Sequence, residues 1–479
     1  MVLITTTAVG LVALLRRSEQ AELGFFSLAA ISIVTCLILG GIFPLRNFGV
    51  ALYVESPLAV YSAFYFLYYV PAYLVFFFSK QIPTHNDLRI AVLILLGYLG
   101  LWCGLKMTRK GLSSEGRTLR LTFGQAEALF LVAYFGISMV IIHYVWLAST
   151  LAYYYTHAAT FVQPATIAAS FAYVFAGSFD LPVVLLLGFL TRVSDVALAN
   201  RARRLLWLYV PALLFVSVTS SQFRLTVTTL VFVFISLQLG TGPLPKLRYW
   251  VIVGVLSALA LVGINTARVI VPAQDIASSD NQILASSRAS FAGLRPAVKG
   301  ARSEIGEAVL SRAALPMQFL SDIIDATDAG RSHTLGAVTL ETVIGLVPRA
   351  LWPGKPTLLS TQIQIERRLG LPDLDNSPGP INEFYAEFGL GGVVVGYMGF
   401  GWFLGFLTQH AVKSHRLLGW FILFWLWSAV AVVETDLISG VLTSFRQALV
   451  VYVIYRLCLS FVTFNRRQRP GLGSPVTAW

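Results

Sequence analysis

Two glutamates lie four residues apart in the segment SPGPINEFYAEFG, residues 377–389. Glu383 and Glu387 follow a Pro-Gly-Pro turn and precede a long apolar run, so we predict that they share one face of the helix they open. The helix dipole alone favours a carboxylate at this position, which accounts for one of the two. A second carboxylate, partly buried in apolar surroundings, is suited to act as a general base.

A second candidate group is the segment VPRALWPGKP, residues 347–356. Its three prolines and its glycine predict a rigid, extended turn. Such a turn brings Arg349 and Lys355 close together, with Trp352 beside them. Two cations and an aromatic face suit a pyrophosphate next to a sugar. The alternative is a purely structural turn that fixes this segment to the rest of the protein.

Two further arginines lie at or inside apolar runs. Arg224 follows a short polar turn between two such runs, and its guanidinium matches phosphate oxygens at the depth of lipid headgroups. A lipid-facing side chain that snorkels is the alternative. Arg446 lies part way into the last run, where pairing with Glu434 or Asp436 is favoured over a place in a phosphate cluster.

Other kinds of site are not predicted. The six histidines show no HExxH or HxxxH spacing, so we expect no metal site. There is no Gly-rich phosphate loop, and no cofactor is predicted. Cys36, Cys103 and Cys458 all lie in apolar runs without a CxxC pair, which is typical of small core residues.

The composition predicts which solvent surrounds these residues. The chain of 479 residues is 56% hydrophobic and only 12% charged, with a mean hydropathy of +0.73. Soluble domains carry roughly 25% charged residues, so the chain has too little polar surface for water. The formal net charge of +12 comes from short Lys and Arg clusters between apolar runs, which indicates topology signals and anionic lipid contacts rather than nucleic acid.

The predicted fold is all-α, an integral membrane protein with about 12 transmembrane helices. Apolar runs long enough for, or close to, the roughly 20 residues of a span fall at 2–15, 24–43, 57–78, 89–105, 125–148, 166–191, 205–220, 225–240, 249–266, 390–409, 417–434 and 438–463. When these spans are counted, the basic clusters fall on one side, which we take as the cytoplasm together with both termini.

The same count places the one long polar segment on the outer face. We therefore predict N-terminal transmembrane helices in residues 1–264, a large outer loop in 265–389, and C-terminal transmembrane helices with a cytoplasmic tail in 390–479. Apolar residues at helical spacing predict amphipathic helices inside this loop, at 305–324, 335–346 and 363–369. Such helices can lie at the membrane surface over the bundle.

Two of these segments resemble elements of the oligosaccharide repeat unit polymerases, the Wzy-type O-antigen polymerases. They are the Pro-Arg-x-x-Trp-Pro-x-Lys-Pro element at 348–356 and the Glu-x-Tyr-x-x-Phe-Gly-x-x-Gly element at 383–392. The hairpin at Arg224 and the run Glu55-Ser56-Pro57 also fit the layout of that family. This sequence departs from the family pattern with an acid, Glu387, where Asn is expected. That departure leaves the choice between the two glutamates open.

The resemblance implies a bacterial inner-membrane enzyme with a GT-C-like helical bundle, capped by a large helical periplasmic loop. The implied donor is a glycan on undecaprenyl pyrophosphate, and the implied acceptor is a sugar hydroxyl of a second lipid-linked unit. No nucleotide sugar or metal takes part. The implied partners are the lipid-linked oligosaccharides, membrane lipids, a chain-length regulator and a flippase.

The resemblance also implies roles for individual residues. Arg224, Arg349 and Lys355 would hold the leaving pyrophosphate. Glu383 or Glu387 would remove the proton of the acceptor hydroxyl, and direct attack with one base would invert the anomeric centre. Trp352 and Tyr385 would stack on sugar rings.

Three other functions compete with this one. An O-antigen ligase would use the same donor and topology but transfer the glycan to lipid A-core. A flippase or transporter for the lipid-linked oligosaccharide would require ionisable residues at mid-depth and internal repeats, and the sequence shows no convincing repeat. A membrane scaffold without chemistry would leave the basic turn at 347–356 unexplained.

Overall fold

The computed structural model describes part of the chain, and every regular element in that part is an α-helix. The described residues are 19–42, 57–79, 84–108, 196–219, 302–345, 361–372, 379–413, 417–431 and 437–468, with scattered positions in 124–136 and 183–190. The helices are α1 (Glu19–Ile42), α2 (Pro57–Ser79), α3 (His85–Met107), α4 (Val196–Thr219), α5 (Arg302–Asp328), α6 (Ala337–Gly345), α7 (Thr361–Leu369), α8 (Pro380–Lys413), α9 (Leu417–Ala431) and α10 (Leu437–Gln468).

The helices predicted inside the long polar segment are confirmed as α5, α6 and α7. Their apolar residues recur at helical spacing, which is typical of helices that pack one face against a core. The helix predicted to open at Glu383 and Glu387 begins at Pro380, and after an interruption at Phe388 and Gly389 it continues through the predicted span at 390–409. Proline is favoured in the first turn of a helix, where its missing N–H has no helical partner.

Two of the described helices are long and apolar enough to cross a bilayer, α3 and the Pro380–His410 part of α8. A helix of 23 residues such as α3 extends about 34 Å, enough for a hydrocarbon core of about 30 Å. These helices are compatible with an all-α membrane protein. The predicted number of 12 spans stays a prediction, because much of the chain lies outside the described residues.

Glycines bring α3 and α8 into close contact along their length. A Cβ on Gly100 would lie 2.6 Å from the carbonyl oxygen of Val394, and Cβ atoms on Gly104 and Gly401 would also overlap backbone atoms of the opposite helix. Since the contacts advance in the same direction on both helices, α3 and α8 run parallel. Small residues allow such an approach between helices that have no hydrophobic force to join them in lipid.

Several buried polar side chains of the bundle form hydrogen bonds inside it. Ser32 and Thr35 of α1 donate to the carbonyl oxygens four residues earlier, at 2.7 Å and 2.8 Å. In α2, Tyr65 donates to the carbonyl oxygen of Ile94 at 2.7 Å, and Tyr61 is hydrogen-bonded to Thr408 at 3.2 Å. Such internal partners are what a hydrocarbon solvent requires.

The long polar segment docks on the end of the bundle where α3 begins. Asn86 donates from its amide to Asp325 at 2.8 Å and to Ser321 at 3.0 Å, and Arg89 forms an exposed ion pair with Asp328. The beginning of α3, the last turns of α5 and the beginning of α8 therefore share one end of the bundle, which we call the loop end. A small second core lies there, formed by Phe319, Ile323, Val338, Ile365, Leu369 and Ala386.

Candidate functional site

Helix α8 is broken at Phe388 and Gly389. Gly389 has φ 65° and ψ −150°, a conformation that is essentially restricted to glycine. In a straight helix residues 384 and 392 would lie about 12 Å apart, yet a Cβ on Gly392 would overlap the carbonyl oxygen of Phe384. The first segment of α8 (380–387) therefore bends sharply away from the long second segment (390–413).

The short stretch between α5 and α6, the strap (residues 331–336), supplies hydrogen bonds at this break. The N–H groups of Thr334 and Leu335 donate to the carbonyl oxygens of Ala386 and Glu387 at 2.9 Å and 3.0 Å. In an unbroken helix these carbonyls would accept from residues 390 and 391. The strap thus replaces helical partners, and it fixes the first segment of α8 to the long polar segment.

Glu387 returns hydrogen bonds in the other direction. Its buried carboxylate, 1% exposed, accepts from the N–H of Thr339 at 2.7 Å, from the hydroxyl of Thr339 at 3.1 Å and from the N–H of Gly336. These two N–H groups lie at the start of α6, where a helix has donors without helical partners. Glu387 therefore caps α6, the role that Asp or Ser plays at other helix ends.

Glu383 lies one turn earlier, also 1% exposed. It is in the first turn of α8, where its N–H donates to the carbonyl oxygen of Gly379 at 3.2 Å. The helix dipole stabilises a carboxylate at this position. Its carboxylate lies close enough to the hydroxyl of Tyr69 in α2 for an electrostatic interaction. Glu383 thus lies near α2, whereas Glu387 is bonded to the start of α6.

Asn382 fixes this turn against α5. Its side chain is fully buried, and its amide donates to the carbonyl oxygen of Pro316 at 2.9 Å. Pro316 lies inside α5. Its carbonyl oxygen thus holds the first turn of α8 against this neighbouring helix.

Tyr385, one of the two aromatic residues predicted to stack on sugars, is packed within the protein. The ring of Tyr385 is partly buried, contacts both hydrophobic cores and meets the ring of His333 edge-on with centroids 5.7 Å apart. His333 belongs to the strap and lies against Gly389, where a Cβ would come 2.9 Å from its Nε2. Tyr385 and His333 together fill the inner side of the break.

The structure brings together some of the predicted site residues and leaves the others undescribed. Glu383, Tyr385 and Glu387 lie within two turns of one helical segment at the loop end. Arg224, Arg349, Trp352 and Lys355 lie outside the described residues. Arg446 lies in α10, but its side chain is outside the described part of the chain.

Sequence reasoning missed the tyrosines that surround the start of α8. Tyr65, Tyr68, Tyr69 and Tyr397 pack ring to ring, with centroids of successive neighbours 4.6 to 5.4 Å apart. The signal was present in the predicted span at 57–78, where tyrosines recur at positions 61, 65, 68, 69 and 73. Hydroxyls at spacings of three and four residues on a membrane helix indicate a face turned towards polar partners.

A comparison of the chain with protein-family models, with curated proteins and with solved structures found no match in any of the three. The resemblance to the repeat unit polymerases therefore rests on the sequence elements alone.

Proposed function

We propose that this protein is a bacterial inner-membrane polymerase that joins undecaprenyl-pyrophosphate-linked oligosaccharide repeat units on the periplasmic face. The proposal combines the two sequence elements at 348–356 and 383–392 with the buried carboxylate that the second element places at the loop end. The burial of Glu383 is the observation on which the proposal depends most. A carboxylate buried at the end of an apolar bundle lowers stability, and such residues are frequently functional.

The structure helps to choose between the two glutamates. Glu387 already accepts three hydrogen bonds from Gly336 and Thr339, so a proton on it would disrupt the start of α6. A general base must gain and lose a proton in each cycle. We therefore assign the base to Glu383 and the capping of α6 to Glu387.

The proposed reaction is a direct displacement. Glu383 takes the proton of a sugar hydroxyl on one lipid-linked unit, and that oxygen forms a bond to the anomeric carbon of the other unit. The bond from this carbon to the pyrophosphate breaks, and the bonding electrons leave with the undecaprenyl pyrophosphate. Arginine and lysine side chains, with Arg224, Arg349 and Lys355 as the candidates, neutralise the leaving group. One displacement inverts the anomeric centre.

The proposed location follows from the same assignment. Lipid-linked donors carry their own activated bond, so the reaction needs no nucleotide sugar and can take place outside the cytoplasm. The outer loop docks on the loop end through Asn86 and Arg89. This contact agrees with the span count, in which the loop at 80–84 and the loop at 265–389 lie on the same side of the membrane.

The test uses purified protein in nanodiscs with lipid-pyrophosphate-linked repeat units and without metal or nucleotide sugar. A gel should show a ladder of longer lipid-linked glycans. The ladder should disappear in Glu383→Gln, a change of one atom at the proposed base, and in Arg349→Ala. Glu341→Gln is the matched control, because Glu341 lies in α6 and makes an exposed ion pair with Arg368.

The other outcomes separate the competing functions. A wild-type protein that makes no ladder but transfers glycan to added lipid A-core is a ligase. A protein inactive in both assays that moves lipid-linked sugar across the bilayer is a transporter. A full ladder from Glu383→Gln would refute the assignment of the base.

A further inference from the structure

The hydroxyl of Tyr69 contacts both segments of the broken helix α8. The N–H of Ile381, in the first segment, donates to Oη of Tyr69 at 3.3 Å. Oη of Tyr69 is also hydrogen-bonded to Oη of Tyr397, in the second segment, at 2.5 Å. Tyr69 itself belongs to α2, so a residue of another helix connects the two segments of α8 across its break.

The ring of Tyr69 has little freedom to move. It is 2% exposed, and it packs against the rings of Tyr65, Tyr68 and Tyr397. The ring of Tyr68 in turn closes on Gly379, where a Cβ would lie 3.0 Å from it. A hydroxyl on a ring held in this way is a fixed point, because no side-chain entropy has to be removed to form its hydrogen bonds.

A fixed point is needed at this position. The break at Phe388 and Gly389 removes the continuous helical hydrogen bonds that would otherwise set the direction of the first segment. Glu383 lies in that segment, two residues after Ile381. An error of about 1 Å in the position of a catalytic group can reduce a rate about 100-fold, so the angle between the two segments matters for any chemistry at Glu383.

We propose that Tyr69 is a positioning residue that holds the carboxylate of Glu383 in register with the membrane-embedded segment of α8. This inference rests on the proposed function, in which Glu383 is the base. Tyr69 accepts the hydrogen bond of Ile381 and shares a second hydrogen bond with Tyr397, in which either hydroxyl can be the donor. It acts through the backbone of the first turn, with Tyr397 as its partner.

The first test replaces Tyr69 by phenylalanine, which keeps the ring and removes both hydrogen bonds. We expect kcat for ladder formation to fall about tenfold, the equivalent of losing one to two ordinary hydrogen bonds, with KM for the lipid-linked donor within about twofold of the wild type. Tyr73→Phe is the control. Tyr73 is one turn further along α2, and its hydroxyl donates to the backbone of Asp87 in α3, at 3.0 Å.

A double-mutant cycle tests the route through Tyr397. Tyr397→Phe alone should lower kcat. The double variant Tyr69→Phe with Tyr397→Phe should lower it no further than Tyr69→Phe does, because both changes remove the same hydrogen bond between the two hydroxyls. Unchanged kcat in Tyr69→Phe, or a loss of equal size in Tyr73→Phe, would overturn the proposal.

A second measurement does not depend on turnover. Hydrogen–deuterium exchange of the peptide covering residues 380–388 should be faster in Tyr69→Phe than in the wild type or in Tyr73→Phe, because the amide of Ile381 loses its acceptor. If the wild type makes no ladder, the proposed polymerase function fails and the positioning role fails with it. If the wild type is active and exchange in Tyr69→Phe is unchanged, the positioning role alone fails.

Discussion

The carboxylate of Glu387 is hydrogen-bonded to the backbone N–H of Thr339 at 2.7 Å, although 48 residues separate them. The contact joins the last turn before the break in α8 to the first turn of α6. Helix α6 ends at Gly345, two residues before the basic segment 347–356. Glu387 therefore fixes the start of the helix that leads into Arg349.

Replacing Glu387 by alanine should destabilise the protein. The change leaves two partly buried N–H groups at the start of α6 without their acceptor, a loss of about 2 kcal/mol for a helix cap of this kind. Thermal unfolding in detergent, followed by tryptophan fluorescence, should show a clearly lower midpoint. Glu341→Ala is the control and should change the midpoint little, since an exposed ion pair contributes about 0 to 1 kcal/mol. Equal shifts in both variants would contradict the capping role.

Replacing Gly104 by alanine should separate α3 from α8. A Cβ there would overlap the carbonyl oxygen of Met398 and lie 2.6 Å from the backbone nitrogen of Trp402. Since backbone atoms cannot turn away, we expect a loss of about 1 to 3 kcal/mol, measured as a lower unfolding midpoint. Gly399→Ala is the matched control in α8, because nothing lies within 4 Å of its added Cβ. A stable Gly104→Ala variant would show that the two helices are not in this close contact.

Replacing Gly389 by alanine should disturb the break in α8. Alanine at φ 65° and ψ −150° is strained by about 1 to 3 kcal/mol, and its Cβ would also meet Nε2 of His333 at 2.9 Å. Thermal unfolding should show the loss, and ladder formation should fall with it. Gly391→Ala, with open space around its Cβ, should be tolerated. Adding His333→Ala to Gly389→Ala should restore only part of the stability, because it removes the collision and leaves the backbone strain.

Cysteine labelling should place the two ends of the bundle on opposite sides of the membrane. With the three native cysteines replaced, a membrane-impermeant maleimide applied to intact spheroplasts should label Asp328→Cys at the loop end. It should label Asn465→Cys in the last turn of α10 only after the membrane is opened. Asp328 and Asn465 are both exposed, so access to the thiol is not limited by the protein. The reverse pattern would refute the periplasmic position of the outer loop.

The sequence by itself determined the helical class of the fold and the helices of the long polar segment. Hydropathy and the scarcity of charge predict helices in a bilayer, because only a helix or a closed barrel satisfies the backbone there. The spacing of apolar residues located α5, α6 and α7 to within a few residues. These properties are local, since each depends on residues within a few turns of one another.

Only the tertiary structure distinguishes the surroundings of the two glutamates. In the sequence Glu383 and Glu387 are equivalent, one helical turn apart and both near a helix start. The strap and α6 donate hydrogen bonds to Glu387. Helix α2 brings Tyr69 near Glu383, and the hydroxyl of Tyr69 accepts a hydrogen bond from Ile381, which is 312 residues away in the chain. The break at Gly389 was hidden for the same reason: a glycine in an apolar run is compatible with a continuous helix, and only its contact with His333 and the strap makes the bend the stable arrangement.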